Sequence, residues 1–302
     1  MKQKVLSLCF PTYNRGWCMK EQIERLMTCP KEVLDKMEII ISDNCSTDDT
    51  QQIVQDAMDQ GFNCRYIRNE TNLGMDGNFV SCFRKAKGRY VWLLGDDDII
   101  IIDSFVEIVK LLDVPDEYGL LHIYQKSDLQ QSLLYIDDSE RMVKYISYYV
   151  TFISANIVNT KYVSSIDFEK YMGTCFTLVP LYLVAVMQES LNVVFGKRTF
   201  EAAKDYIRNG GYNFFEVFVK NYLTIFYEYI KSAKLYAWIK KDIWVFVWAY
   251  TKQLLIKKDT GNFKIKNGWK ILFKYYGCEW YFWRTLLVYI YGIIKYKMKK
   301  LL

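Results

Sequence analysis

Four short apolar runs, each stopping in a loop of Pro, Asp or Asn, constrain this chain more than any other feature. They are Val5-Leu6-Ser7-Leu8-Cys9-Phe10, Glu38-Ile39-Ile40-Ile41-Ser42, Cys64-Arg65-Tyr66-Ile67-Arg68 and Tyr90-Val91-Trp92-Leu93-Leu94. In the fourth, apolar residues follow one another without alternation, as in strands buried on both faces. Helical stretches separate the runs. The first reaches about Cys29 with Ile23, Leu26 and Met27 on one face. The second, to about Gln60, follows a loop dense in N-cap residues, Asp43 to Thr50, and the third spans about Met75 to Lys87. A repeat of roughly 25 residues predicts right-handed βαβ units, hence an α/β fold with a doubly wound, mostly parallel sheet.

In such sheets ligands bind outside the carboxyl ends of the strands. Pro11 to Arg15, Asp43, Asn69 to Gly74 and Asp96 to Asp98 all fall at those ends, which locates a site. The fourth run delivers three carboxylates in a row, Asp96-Asp97-Asp98, after Gly95. Carboxylates this dense repel one another unless a cation lies between them. A hard divalent ion, Mn²⁺ or Mg²⁺, completed by substrate phosphates would meet that need. A solvated loop with one Asp capping the next helix is the other reading. Tyr13 is suited to stacking, and Asp43 to accepting hydrogen bonds from a base edge.

Other chemistries are excluded by what is missing. The chain has no G-x-x-x-x-G-K-[ST] loop, no G-x-G-x-x-G after the first run and no G-x-S-x-G elbow. Eight scattered cysteines without a C-x-x-C pair, and one histidine, argue against zinc. With no signal peptide at the start, free thiols in a reducing cytosol are expected. His122, in Leu120-Leu121-His122-Ile123-Tyr124, reads as a satisfied strand residue.

Together, Phe10-Pro11-Thr12-Tyr13-Asn14-Arg15, Ser42-Asp43-Asn44-Cys45-Ser46-Thr47-Asp48, Asn72-Leu73-Gly74 with Asn78, and Tyr90 to Asp98 resemble the family 2 glycosyltransferases of GT-A fold. The Leu-Gly-Asp-Asp-Asp form is similar to the abequosyltransferase-type bacterial branch, which builds surface polysaccharides such as O-antigen or capsule. The likeness covers roughly residues 4 to 110, and it implies an inverting, metal-dependent transfer of a sugar from a nucleoside-diphosphate donor. By that likeness Pro11, Tyr13 and Arg15 line the nucleotide site, and Asp43 binds the base. Asn72, Gly74 and Asn78 border nucleotide or sugar, while Asp96 and Asp98 stand for the family's D-x-D and touch the ribose and the metal-bridged diphosphate, with Asp97 able to replace either. The register among the three aspartates stays open, so all three are candidate metal ligands. Many relatives carry an acidic general base beyond the acceptor loop, yet Tyr171 to Leu178 has none. Asp167 and Glu169 are the candidate bases, with Glu189 also near.

The GT-A domain is expected over residues 1–210, with a donor half over about 1–110 and an acceptor half over 111–210. Further strands are expected at Gly119 to Tyr124 and Val150 to Ser154, and from about Tyr171 the pattern is helical. Residues 212–302 hold 17 Lys+Arg against 5 Asp+Glu, or +12, which leaves 23 against 29, or −6, in the remainder. The region 211–302 therefore reads as basic, aromatic helices, among them Tyr222 to Ile239, Ile243 to Ile256 and Trp280 to Lys297. Two readings fit them: interfacial helices on an anionic bilayer, or a helical subdomain with an aromatic core and a solvated basic face. The family's lipid-linked glycan acceptors point to the first, and to a cytoplasmic protein peripheral to the inner face of the cell membrane. A sugar nucleotidyltransferase and a non-catalytic membrane scaffold are the alternatives. Nucleic acid would suit the basic rear but not the acidic front.

Overall fold

The structure, a computed structural model, describes residues 3–124, 131–203, 210–257 and 262–301, with side chains in the last helix to residue 295. All four apolar runs are strands of one sheet. β1 (Leu6–Thr12) leads to α1 (Gly16–Met27), the short α2 (Lys31–Leu34) and β2 (Met37–Asp43). Next come α3 (Thr50–Asp59), β3 (Arg65–Arg68), α4 (Gly74–Lys85) and β4 (Tyr90–Leu93). The chain goes on through β5 (Asp98–Ile100), α5 (Ile102–Leu112), β6 (Leu120–Ile123), β7 (Leu133–Ile136) and α6 (Ser139–Ile146). β8 (Asn156–Asn159), α7 (Val179–Gln188), β9 (Asn192–Phe195) and β10 (Phe200–Ala202) complete a compact unit spanning residues 1–207.

The main sheet has the order β3-β2-β1-β4-β8-β6-β9-β7, and β5 pairs with β10 apart from it. β1 to β4 run parallel, whereas β8 lies antiparallel between β4 and β6. Successive residues of the central strands serve opposite faces. Leu6, Leu8, Phe10, Ile39, Ile41, Tyr90, Trp92 and Leu94 join one core cluster with Met19, Ile23 and Leu26 of α1 and Phe105, Ile108 and Val109 of α5. The opposite face of β1, β2 and β4 is covered by α4, which buries Val80, Cys82 and Phe83. Because β2 lies on one side of β1 and β4 on the other, the strand order reverses between β1 and β4. A crevice opens there at the carboxyl ends.

Sequence and structure part at three places. Val150 to Ser154 is not a strand but two 3₁₀ turns, Ser147–Thr151 and Ile153–Ala155. The Asn156 amide donates to the carbonyls of Val150 (2.9 Å) and Phe152 (2.8 Å), so those carbonyls are turned to a side chain instead of a neighbouring strand. Nor is the chain purely helical after Tyr171, since β9 and β10 follow α7. The expected helix Tyr222 to Ile239 is broken at residues 230–232.

The second unit, residues 208–302, is described by itself. A π-helical turn, Glu216–Asn221, runs into α8 (Tyr222–Tyr229), followed by α9 (Ala233–Lys257), α10 (Gly268–Tyr276) and α11 (Trp280–Leu301). Its core is aromatic: Trp244 lies 4.7 Å from Tyr276 and 5.4 Å from Phe282, ring centre to ring centre. Among the described residues no helix is long and apolar enough to cross a membrane.

Candidate active site

The crevice between β1 and β4 gathers side chains from segments far apart in sequence. Thr12 ends β1, and its hydroxyl donates to Asp96 Oδ2 at 2.8 Å. Arg15, just before α1, donates from Nη1 to Asp96 Oδ1 (2.8 Å) and to Asp97 Oδ2 (3.0 Å). Asp98 is held differently. Ser154, from the turn before β8, donates to Asp98 Oδ2 at 2.5 Å and accepts from the Gly95 N–H at 2.9 Å. The Ser154 carbonyl is itself fixed by Trp92 Nε1 at 2.8 Å. Among the described residues no cation pairs directly with Asp98.

Charge explains the titration of this cluster. Burial lifts Asp96 to about 6 even though Arg15 and Thr12 oppose it. Burial lifts Asp98 to about 7, with Asp97 and Asp96 adding repulsion and Ser154 opposing. Burial disfavours the Arg15 cation, but Asp96 and Asp97 more than offset that, and its pKa is raised. Among the described residues Arg15 is the cation paired with this cluster, through Asp96 and Asp97.

The donor set is tested against a divalent ion by its chemistry. All its atoms are carboxylate oxygens, which suit Mg²⁺ or Mn²⁺. Among the described residues no three His, Cys, Asp or Glu side chains converge as a complete ligand set. Asp96 and Asp97 are turned to Arg15 and Asp98 to Ser154, so the three do not converge as the joint ligand cluster their sequence suggests. An ion held by one or two carboxylates and completed by phosphate oxygens fits this arrangement; an all-protein cage does not.

The other sequence candidates fall around this crevice in unequal settings. Tyr13 is 45% exposed, and Pro11 is buried within β1. Asp43, at the end of β2, is fully buried: it accepts from the Ser46 N–H (2.8 Å) and the Tyr66 hydroxyl (2.5 Å) and lies 3.6 Å from Arg68 Nε. Asn72 accepts from Asn44 Nδ2 and from the Gly74 N–H, both at 2.8 Å. Gly74 opens α4 with φ +73°, where an L side chain is strained. Asn78 is buried and accepts from Ser42 Oγ at 2.7 Å. The β1 and β2 loops are stitched together by Asn14 N–H to Ser46 Oγ (2.9 Å) and Gly16 N–H to Asp48 (3.0 Å).

Asp167 and Glu169 are exposed, on the 3₁₀ turn Phe168–Tyr171 and its preceding residue; Glu169 pairs with Arg84 at 3.1 Å. Glu189 is bonded by Tyr162 and Lys161. Sequence reasoning missed Thr12, Asn44, Tyr66, Arg68, Ser154 and Asp76. Thr12 and Asn44 lay inside quoted motifs, whereas Ser154 was hidden in a stretch read as strand.

Comparison with known proteins agrees with this fold. The abequosyltransferase RfbV of Salmonella typhimurium is 39% identical over 111 residues, covering 36% of this chain and 33% of that protein. The Campylobacter jejuni GalNAc(5)-diNAcBac-PP-undecaprenol beta-1,3-glucosyltransferase is 31% identical over 106 residues, covering 35% and 33%. The matched stretch thus spans about a third of the length of these curated relatives. Among solved structures, S. aureus TarS 1–349 in complex with UDP-GlcNAc superposes with a TM-score of 0.60 at 19% identity, over 84% of this chain and 76% of that one. Mannosyltransferase PcManGT from Pyrobaculum calidifontis, in complex with GDP-Man and Mn²⁺, gives 0.53 at 12% identity, over 79% and 68%. These neighbours carry the GT-A fold. Residues 7–159, half of the 302, match the model of the family described as Glycosyl transferase family 2, and it is to the family 2 glycosyltransferases that this chain belongs.

Proposed function

We propose that this chain transfers a sugar, with inversion, from a nucleoside-diphosphate donor to a lipid-linked glycan in bacterial surface-polysaccharide synthesis. The observation that carries the reading is Asp98, a half-buried carboxylate at the strand switch point, fixed by Ser154 and, among the described residues, without a paired cation. A divalent ion bound there with the diphosphate supplies Lewis-acid stabilisation of the charge that builds on the leaving group. Asp98 would be its protein ligand, with Asp97 the nearest second carboxylate. Arg15 holds Asp96 and Asp97 and brings a fixed positive charge to the same place. Thr12 and Arg15 orient Asp96 toward ribose, and Tyr13 offers a ring for the base. Asp43, engaged by Ser46, Tyr66 and Arg68, shapes the base pocket. Direct displacement needs a base on the acceptor hydroxyl. Asp167 is assigned that role ahead of Glu169, which Arg84 already holds.

Donor binding tests the reading directly. A nucleoside diphosphate with Mn²⁺ should bind in calorimetry, and EDTA should weaken it. Asp98→Asn should lower turnover by on the order of 10²–10³ while leaving the melting temperature unchanged or higher, since a carboxylate repelled by Asp97 and Asp96 is removed. Full activity of that variant, or of the wild type in EDTA, sinks the metal role. Donor binding without transfer would favour the scaffold reading.

A peripheral membrane location on the cytoplasmic face is part of the proposal. It is supported by α11, where Trp280, Trp283, Leu287, Ile290, Tyr291 and Ile294 are all exposed. Their three- and four-residue spacing makes one apolar stripe beside Arg284 and Lys295, the pattern of a helix lying in an anionic interface.

A further inference from the structure

Asp76, in the first turn of α4, has no part in the chemistry above, yet it is only 8% exposed. Its Oδ2 reaches across to the loop before α7 and accepts the peptide N–H groups of Gly173 (2.8 Å) and Cys175 (3.3 Å). The Thr177 hydroxyl lies between this carboxylate and the Tyr171 carbonyl, 3.0 Å from the latter. Gly173 (φ +76°) and Cys175 (φ +63°) both take left-handed conformations, which turn nearby N–H groups toward one anion. Oδ1 is buried with no partner among the described residues, and no cation pairs with the carboxylate. Burial accordingly pushes the Asp76 carboxyl up against the pull of its donors. Helix packing alone does not call for such an expensive group.

Its neighbours show what it connects. Two residues before it, Gly74 is gripped by Asn72 and by Asn44 Nδ2 (3.1 Å to its carbonyl), and Asn44 Oδ1 accepts from the Leu73 N–H at 2.9 Å. Two residues after it, Asn78 is tied to Ser42 of β2. The N-terminal turns of α4 are therefore one rigid piece with the loop that carries Asp43 and Asn44. The loop Tyr171 to Leu178, which lacks an acidic residue of its own, is anchored to that piece through Asp76.

We propose that Asp76 is a positioning residue that clamps the loop 171–178 to the donor-binding loops, so that nucleotide binding at one orders the other. The inference rests on the donor site proposed above.

The test is amide hydrogen exchange across residues 173–177 of the full chain, with and without nucleotide. UDP, GDP, CDP and dTDP, each with Mn²⁺, are the probes, and calorimetry on the wild type selects the one that binds. That nucleotide should slow exchange in the wild-type loop. In Asp76→Ala the loop should exchange about ten-fold faster and ignore the nucleotide, whose affinity stays within about three-fold. Asp76→Asn, whose amide oxygen still accepts both N–H bonds, should restore protection. Unchanged loop exchange in Asp76→Ala overturns the clamp, and a loop that still answers to nucleotide overturns the coupling. If Asp76→Ala does not fold, Asp76→Ser, too short to reach both N–H groups, probes the same contact, and wild-type exchange there overturns the clamp. A wild type that binds none of the four nucleotides defeats the proposed function instead; nucleotide-free exchange in Asp76→Ala then still decides the clamp.

Discussion

At the scale of single residues, the three consecutive aspartates have separate duties. Asp96 answers to Thr12 and Arg15, Asp97 to Arg15, and Asp98 to Ser154. Their existence was legible in the sequence because three carboxylates after a buried strand demand a cation. Their division of labour was not, because it depends on a serine 56 positions away. Asp76 was illegible for another reason: an acid in a helix's first turn is ordinary dipole chemistry, and only the fold brings the loop at 173–177 over it. His122 was read as a satisfied strand residue; it lies in β6, but only one ring nitrogen is satisfied. Nδ1 donates to Asn156 Oδ1 at 2.9 Å, Nε2 has no partner among the described residues, and burial drops its pKa from 6.5 to about 4. Between those values the unfolded chain binds the proton that the native imidazole refuses, so stability present above pH 6.5 is lost as pH falls toward 4. The full window is worth about 3 kcal/mol. His122→Gln should flatten the urea midpoint between pH 6.5 and 4 relative to the wild type. Parallel curves would place the acid sensitivity elsewhere.

At the scale of elements, the parallel half was legible almost strand for strand, since both-face burial leaves an unbroken apolar signature. The other half was not. β8 is four residues long, runs antiparallel, and follows turns whose tyrosines and valines imitate a strand. β7 keeps one residue buried and the rest partly or wholly exposed, too weak a pattern to find. How tightly β1 and β4 are joined is a testable matter. Gly88 precedes β4, and a Cβ there would sit 2.6 Å from the Ser7 nitrogen and 2.7 Å from the Leu6 carbonyl carbon. Backbone cannot yield as a side-chain tip can, so Gly88→Ala should destabilise the chain by about 1–3 kcal/mol. A lower urea midpoint at unchanged slope is the expected result; a wild-type midpoint would mean that the two strands have slack.

At the scale of the whole molecule, charge divides with the two units, and the basic rear was legible from composition alone. Its exposed stripe was not, because the aromatics of α11 serve both roles: Phe282 is buried against Trp244 while Trp280 and Trp283 face outward. Part of that charge, the lysines at 297, 299 and 300, lies outside the described side chains. The stripe gives the sharper experiment. Leu287→Gln with Ile290→Gln should weaken cosedimentation with anionic vesicles about ten-fold at low salt, with no loss of melting temperature because both residues are exposed. Equal binding by variant and wild type, or none to any vesicle, would remove the bilayer from the account.

The pairing of β5 with β10 bears on how the molecule is made. Asp98 lies opposite Ala202 in that ladder, and the Ala203 N–H donates to the Asp97 carbonyl at 2.8 Å. A ribosome delivers Asp98 roughly a hundred residues before its partner, at about 5–20 residues per second. For several seconds the parallel strands can assemble while the acidic segment has neither Ser154 nor β10 to hold it. Nascent chains halted before Phe200 would accordingly hold the parallel strands without a finished crevice, and the donor site proposed above would be completed late in synthesis, with the second strand of a two-stranded clasp.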